Sequence, residues 1–77
     1  MSKLPTVSPE ACIEALIKAG FRISRQKGSH VQMRRDSPPP ARTVPVPTGK
    51  KTLPRGTLRA IIRLAGMTRE EFLRLLD

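Results

Sequence analysis

Residues 21–34 read FRISRQKGSHVQMR, and the period of their side chains decides the fold. Phe21 and Ile23 alternate with Arg22 and Ser24, the pattern of a half-buried strand. Lys27-Gly28 supplies a tight turn, because glycine accepts a positive φ. After it, Val31 and Met33 alternate with His30, Gln32 and Arg34. With Val31 and Met33 toward a core, His30 faces the other way, since successive side chains alternate across a sheet.

Working outward, Ser37 and Pro38-Pro39-Pro40 break the second strand, and Thr43-Val44-Pro45-Val46-Pro47 forms a third. Pro45 cannot donate to a ladder, so this strand belongs at a sheet edge. The expected sheet is an antiparallel meander in the order 1-2-3. Upstream, the spacing predicts a helix over 9–19. Ser8 is its N-cap, Pro9 its first residue, and Gly20 its stop. Its apolar stripe reads Cys12, Ile13, Leu16 and Ile17. Downstream, a second helix runs from about Pro54 or Thr57 to Ala65, burying Leu58, Ile61, Ile62 and Ala65. Arg55, Arg59 and Arg63 recur along one of its sides. A third, short helix starts at a Thr68-x-x-Glu71 capping box, with Met67 stapled to Phe72. Both main helices must bury their stripes on the one apolar sheet face. The expected fold class is therefore α+β, a two-layer α-β-β-β-α(-α) sandwich. The other face then carries Arg22, Ser24, His30, Gln32, Arg34 and Thr43.

Length and composition bound the rest. Seventy-seven residues allow one domain, residues 1–77, with an ordered core over about 8–76. No apolar run reaches the roughly 18 residues of a membrane span, and the N-terminus lacks a secretory stretch. The single Cys12 falls on an apolar helical stripe and reads as a small buried hydrophobe. Lone cysteine usage points to a reducing cytosol. Fifteen Lys and Arg against six Asp and Glu leave a net charge of +9, and ten of the fifteen are Arg. That balance points to nucleic acid or another polyanion, against a bland basic surface or an acidic protein partner. Phe21 and Phe72 are the only aromatics, so exposed aromatic stacking platforms are not expected.

His30 is the only histidine. An imidazole can take and give a proton near neutral pH without a metal. Among phosphate-binding cations such as Arg25, Lys27 and Arg34, it could deprotonate an RNA 2′-hydroxyl for attack on the adjacent phosphate. The cations would stabilise charge building on phosphorus. On composition alone a lone strand histidine is more often a bystander. Gly28 and Ser29 are either turn residues only or groups that orient the phosphate. Lys50, Lys51 and Arg55 flank the start of the second helix, where phosphate is attracted, or else line a solvated loop. No carboxylate cluster for Mg²⁺ or Mn²⁺ and no Cys/His zinc set is visible, so no metal or other cofactor is expected, and a nuclease here would work without one.

A set of segments in order resembles the HicA-type mRNA interferase toxins. They are Ala19-Gly20-Phe21, Lys27-Gly28-Ser29-His30, Thr43-Val44-Pro45-Val46-Pro47, Gly56-Thr57-Leu58-Arg59-Ala60-Ile61 and Ala65-Gly66-Met67-Thr68-Arg69-Glu70-Glu71-Phe72. The resemblance runs from about Leu4 to Leu76. It implies a double-stranded-RNA-binding-domain-like fold and a cytoplasmic toxin of a type II toxin–antitoxin module. It also implies mRNA cleavage with His30 as the catalytic histidine, and a HicB-type antitoxin covering that face; without its partner the chain is expected to be monomeric. Many relatives carry a second histidine soon after the Val-Pro pair, where this chain has Thr48-Gly49-Lys50-Lys51. A two-histidine scheme cannot operate: either Lys or water protonates the leaving 5′-oxygen, or the activity is weaker. The alternatives are a non-catalytic RNA-binding module of the same fold and a basic protein-interaction module.

Overall fold

A computed structural model describes residues 4–76. Met1, Ser2 and Lys3, part of the N-terminus read above for a leader, lie outside the described residues, as does Asp77. The elements are α1 (Pro9–Lys18), β1 (Arg22–Lys27), β2 (His30–Arg35), β3 (Arg42–Pro47), α2 (Arg55–Leu64) and α3 (Arg69–Leu75). The strands form an antiparallel sheet in the order β1-β2-β3, as the alternation predicts. Both α1 and α2 pack on β3, and α3 packs against α1. Leu16, Met33, Val44, Val46, Leu58, Ile61 and Phe72 fill the space between helices and sheet. Among the described residues no helix is long and apolar enough to cross a membrane.

The helix ends follow their cap residues. Ser8 Oγ accepts from the Ala11 amide at 3.1 Å, satisfying one orphan donor of α1. At α3, Thr68 Oγ1 accepts from the Glu71 amide and Glu71 Oε1 accepts from the Thr68 amide at 2.7 Å, the reciprocal capping box. That backbone donor, more than any other group, holds the Glu71 carboxyl below the usual carboxylate range. The C-termini of α1 and α2 are served by two arginines that face each other across the ladder, Arg35 and Arg42. Arg35 Nη1 donates to the Ala19 carbonyl at 3.0 Å and its guanidinium lies 4.7 Å over the Phe21 ring. Arg42 Nη1 donates to the Leu64 carbonyl at 3.3 Å. A cation at the carbonyl end of a helix is stabilising, and over a ring it gains cation–π attraction.

Two apolar residues depart from expectation. Ile17 is 49% exposed and Ile23 is 51% exposed. The buried face of α1 is Cys12, Ala15 and Leu16, with Ala15 in the place expected of Ile17. At 100° per residue Ile17 lies about 140° around from Cys12, off that face. Ile23 stands opposite buried Met33, on the core side of the sheet. The helical layer sits over β3, however, so the outermost strand β1 is exposed along its length. Phe21, just before β1, is the residue of that run that reaches the core.

Candidate functional site

A β-bulge assembles the face around His30. Arg22 pairs with Arg34 and Ile23 with Met33, but the next rung joins Arg25 to Gln32, then Gln26 to Val31 and Lys27 to His30. Ser24 is the extra residue, and its Oγ bonds the Gln32 carbonyl at 3.1 Å. Uninterrupted alternation from Arg22 would place Ser24 and Gln26 on the open face and send Arg25 and Lys27 to the other. The bulge reverses this from residue 25 onward. Ser24, expected on the open face, is therefore the residue displaced from the ladder, and Arg25 takes its place. The signal was present in the count: four residues separate Ile23 from the Gly28-Ser29 turn, whereas three separate Met33 from it. Two apolar residues on one face can pair only if one residue between them is looped out.

Arg25, Lys27 and His30 consequently line one shallow hollow of about 280 Å³, floored by Gln32 and Pro45. Lys27 is the direct cross-strand partner of His30. Side chains so placed have Cβ atoms about 4.5–5.5 Å apart. Among the described residues, none of these three side chains has a hydrogen-bond or ion-pair partner. Their polar groups are turned to solvent and available to a ligand.

The turn that carries the histidine is a two-residue connection, with Gly28 at φ +58° and Ser29 at a negative φ. Positive φ at the first central residue alone is the requirement of a type II′ hairpin turn. Ser29 is held by its carbonyl, which accepts from the Thr48 amide at 2.6 Å. Its side chain lines a second hollow of about 340 Å³ with Gly49, Lys50 and Thr57. This hollow opens at the start of α2, where Pro54 is the N-cap, no side chain caps the helix, and the first turn holds no acid. The first-turn amides therefore have no intrahelical acceptor.

The remaining expected residues sit apart. Arg34 shares the His30 face but lies four residues along β2, roughly 13 Å at about 3.3 Å per residue. There Arg34 Nε meets Asp36 at 2.7 Å, Arg22 Nη1 meets Asp36 at 2.9 Å, and Arg34 Nη1 approaches Thr43 Oγ1 at 3.5 Å. Hydrogen bonds from Arg34 first, and Arg22 second, hold the Asp36 carboxyl below the usual carboxylate range. Lys51 and Arg55 are exposed and line neither hollow. Cys12 is fully buried, and burial pushes its thiol up to about 12, in keeping with a hydrophobe rather than a nucleophile. Among the described residues no three His, Cys, Asp or Glu side chains cluster as a metal site. Sequence reasoning missed an apolar groove of about 420 Å³ on the other side of His30, between β3 and α2. Pro45 and Pro47 on β3, with Gly56, Ala60 and Leu64 at four-residue spacing on α2, were its only sequence signal.

The family model described as HicA toxin of bacterial toxin-antitoxin matches residues 10–67. No match is found among curated proteins. The matched span runs from the first turn of α1 through the His30 hairpin and all of α2, so it takes in both hollows as well as the fold that positions them. On that match the chain belongs to the HicA toxin family, the toxin members of bacterial toxin–antitoxin pairs, whose modules also supply an antitoxin partner.

Proposed function

We propose that this toxin is a metal-independent endoribonuclease that cleaves mRNA with His30 as general base. The observation that carries the reading is the Ser24 bulge, which brings Arg25 and Lys27 onto the face of the only histidine. His30 takes the proton of an RNA 2′-hydroxyl. The 2′-oxygen attacks the neighbouring phosphorus, and the 5′-oxygen of the next nucleotide leaves. The products are a 2′,3′-cyclic phosphate and a 5′-hydroxyl end. Arg25 and Lys27 bind the scissile phosphate and stabilise the added negative charge of the transition state. Gly28 sets the turn that aims His30. Ser29, Lys50 and the α2 start receive a neighbouring phosphate, with Lys51 and Arg55 adding long-range attraction. Arg34, whose Nε already meets Asp36, adds only long-range attraction at the far end of the RNA path. The leaving oxygen takes its proton from Lys27 or from water. Lys27→Arg separates these, because it keeps the charge and removes a usable acid. The antitoxin, of the HicB type, neutralises the toxin by covering the His30 face.

The test is cleavage of a single-stranded mRNA fragment by purified protein in EDTA. A general base contributes about 10²–10⁴-fold, so His30→Ala should lose at least about a hundredfold. Intact RNA with wild-type protein, or equal cutting by His30→Ala, refutes the proposal. Binding without cutting by the folded wild type would instead establish the non-catalytic RNA-binding module.

A further inference from the structure

The proposed ribonuclease reading leaves the apolar groove beside His30 unused. His30 and Pro45 line both that groove and the cationic hollow. The imidazole therefore stands on a divide, with guanidinium and ammonium groups on one side and an uncharged cleft on the other. Pro45 and Pro47 form one wall of the cleft; Gly56, Ala60 and Leu64 form the other. Leu64 is 45% exposed although it is one of the larger apolar side chains of the molecule. At about 420 Å³ the cleft falls within the roughly 300–1,000 Å³ of small-molecule sites.

We infer that this cleft receives one unstacked nucleobase of the RNA, from a nucleotide flanking the scissile phosphate, and so orients the 2′-hydroxyl toward His30. A nucleotide has the same division of chemistry as the site. Its phosphate is anionic, its base offers a flat, largely apolar face, and the sugar hydroxyl lies between them. Extruded bases elsewhere are held between aromatic or apolar side chains, and proline rings and a leucine supply the apolar version here. The β3 edge disfavours the other way of filling such a cleft, an added peptide strand. The Thr48 amide donates to Ser29, so ladder donors on β3 alternate through 48, 46 and 44, and positions 45 and 47 point outward. Both are prolines and have no N–H to offer a new strand. Thr57 supplies the one hydroxyl among the lining residues, so the cleft selects for an unpaired base more than for its identity.

The inference rests on the ribonuclease reading, and its test separates the two. Gly56 has nothing within 4 Å of where a Cβ would stand, and its φ lies outside the left-handed region. Gly56→Leu therefore fills the cleft without straining α2, and Ala60→Leu, one turn along, is the second variant. Each is compared with wild type on a short RNA of mapped cut site, and on the same RNA made abasic at the nucleotide before or after the cut. Stacking of a base on an aromatic ring is worth about fivefold or more, and a cleft of prolines and a leucine should reach the low end of that range, so each filled cleft should lower single-turnover kcat/KM about fivefold on intact RNA. Removal of the base at one of the two positions should lower the wild-type value by a similar factor. Variant and abasic substrate together should lose no more than either alone. Losses that multiply, or no loss from either change, overturn the base assignment while the ribonuclease stands. A Gly56→Leu protein that cuts normally but no longer binds the antitoxin overturns it in favour of a protein side chain. Wild-type protein that leaves every substrate intact refutes the underlying reading itself.

Discussion

Deleting either Ser24 or Gln26 produces chains of identical length with a regular β1–β2 ladder, yet the two deletions should differ in activity. Without Ser24, Ile23 still meets Met33, Arg25 still meets Gln32 and Lys27 still meets His30, because only the looped-out residue has gone. Without Gln26, Lys27 keeps its place, but Arg25 moves opposite Val31 and Ser24 moves opposite Gln32. Arg25 then points to the side of the sheet that Gln26 now occupies. That site is exposed, so accepting a guanidinium there carries little penalty. The Ser24 deletion loses one exposed hydrogen bond, to the Gln32 carbonyl, worth at most about 1 kcal/mol. Both proteins should melt within about 8 °C of wild type, the shift that about 1 kcal/mol gives a domain of this size. Activity should separate them. A charged hydrogen bond is worth about 1.5–3 kcal/mol, which is about 10- to 150-fold in rate. Single-turnover cleavage of a short RNA should fall by that factor without Gln26 and stay within about threefold of wild type without Ser24. Equal rates from two folded deletion proteins would refute the claim that the bulge arms the site.

Gly66 has φ +73°, and a Cβ there would lie 2.5 Å from Arg42 Cζ. The Arg42 guanidinium can move aside, but the left-handed backbone cannot, so Gly66→Ala should cost about 1–2 kcal/mol in urea unfolding, whereas Gly56→Ala, in open space, should stabilise by about 0.5 kcal/mol. Equal effects at the two glycines would contradict the left-handed conformation of Gly66. Asp36 and Glu71 have folded carboxyl pKa values held down, so their contribution to stability is present above the unfolded value of about 4 and is lost as pH falls through the folded values. Melting temperature should fall on the acid side of about pH 4, and Asp36→Asn with Glu71→Gln should flatten that limb; an unchanged limb in the double variant counts against both pairings. The Cys12 thiol, pushed up to about 12, should resist iodoacetamide at pH 8 in the folded protein and react on denaturation. Rapid labelling of native protein would place it at the surface instead. The slope of log affinity for single-stranded RNA against log salt should be about −1.4, from two phosphates at about −0.7 each, one on Arg25 with Lys27 and one on Lys50, and a slope steeper than about −6 would mean that RNA runs over far more of the surface.

Much of the fold was legible because each element carried its own boundary chemistry. Ser8-Pro9 opened α1, Thr68 with Glu71 opened α3, and Gly20, Gly28 and Gly66 all take the positive φ that their turns require. The edge position of β3 followed from Pro45. Two quantities were not local. Which strand the helices cover depends on how α1 and α2 pack together, so the exposure of Ile23 could not be read from alternation. The face of Arg25 depends on a one-residue mismatch between two strands, and alternation within either strand alone is blind to it. The candidate site inherited both effects. His30 and Lys27 were legible from their distance to the turn, while Arg34 carried the right face and the wrong neighbour. The partner that occupies Arg34, Asp36, lies two residues beyond it and just past the strand end.

A net charge of +9 pointed toward a polyanion, but much of that charge is engaged inside the fold. Arg35 and Arg42 face each other at the end of the β2–β3 ladder, and each reaches the last carbonyls of a different helix. Arg22 and Arg34 close on Asp36, and the Lys18 ammonium donates to the Leu75 carbonyl at 3.3 Å. These cations hold helix ends and a strand end, and each already has an acceptor for at least one of its donors. A phosphate bound there would have to displace an existing partner, and the net gain would be small. Arg25 and Lys27 differ not in kind but in surroundings. They stand on an exposed strand, across from a histidine, with no acceptor among the described residues. A charged donor left with no protein partner costs nothing while water solvates it, and it keeps its full capacity for an incoming anion. The unpaired cations across from the only histidine, rather than the total charge, are what single out the β1–β2 hairpin as the place where the proposed ribonuclease would bind and cut RNA.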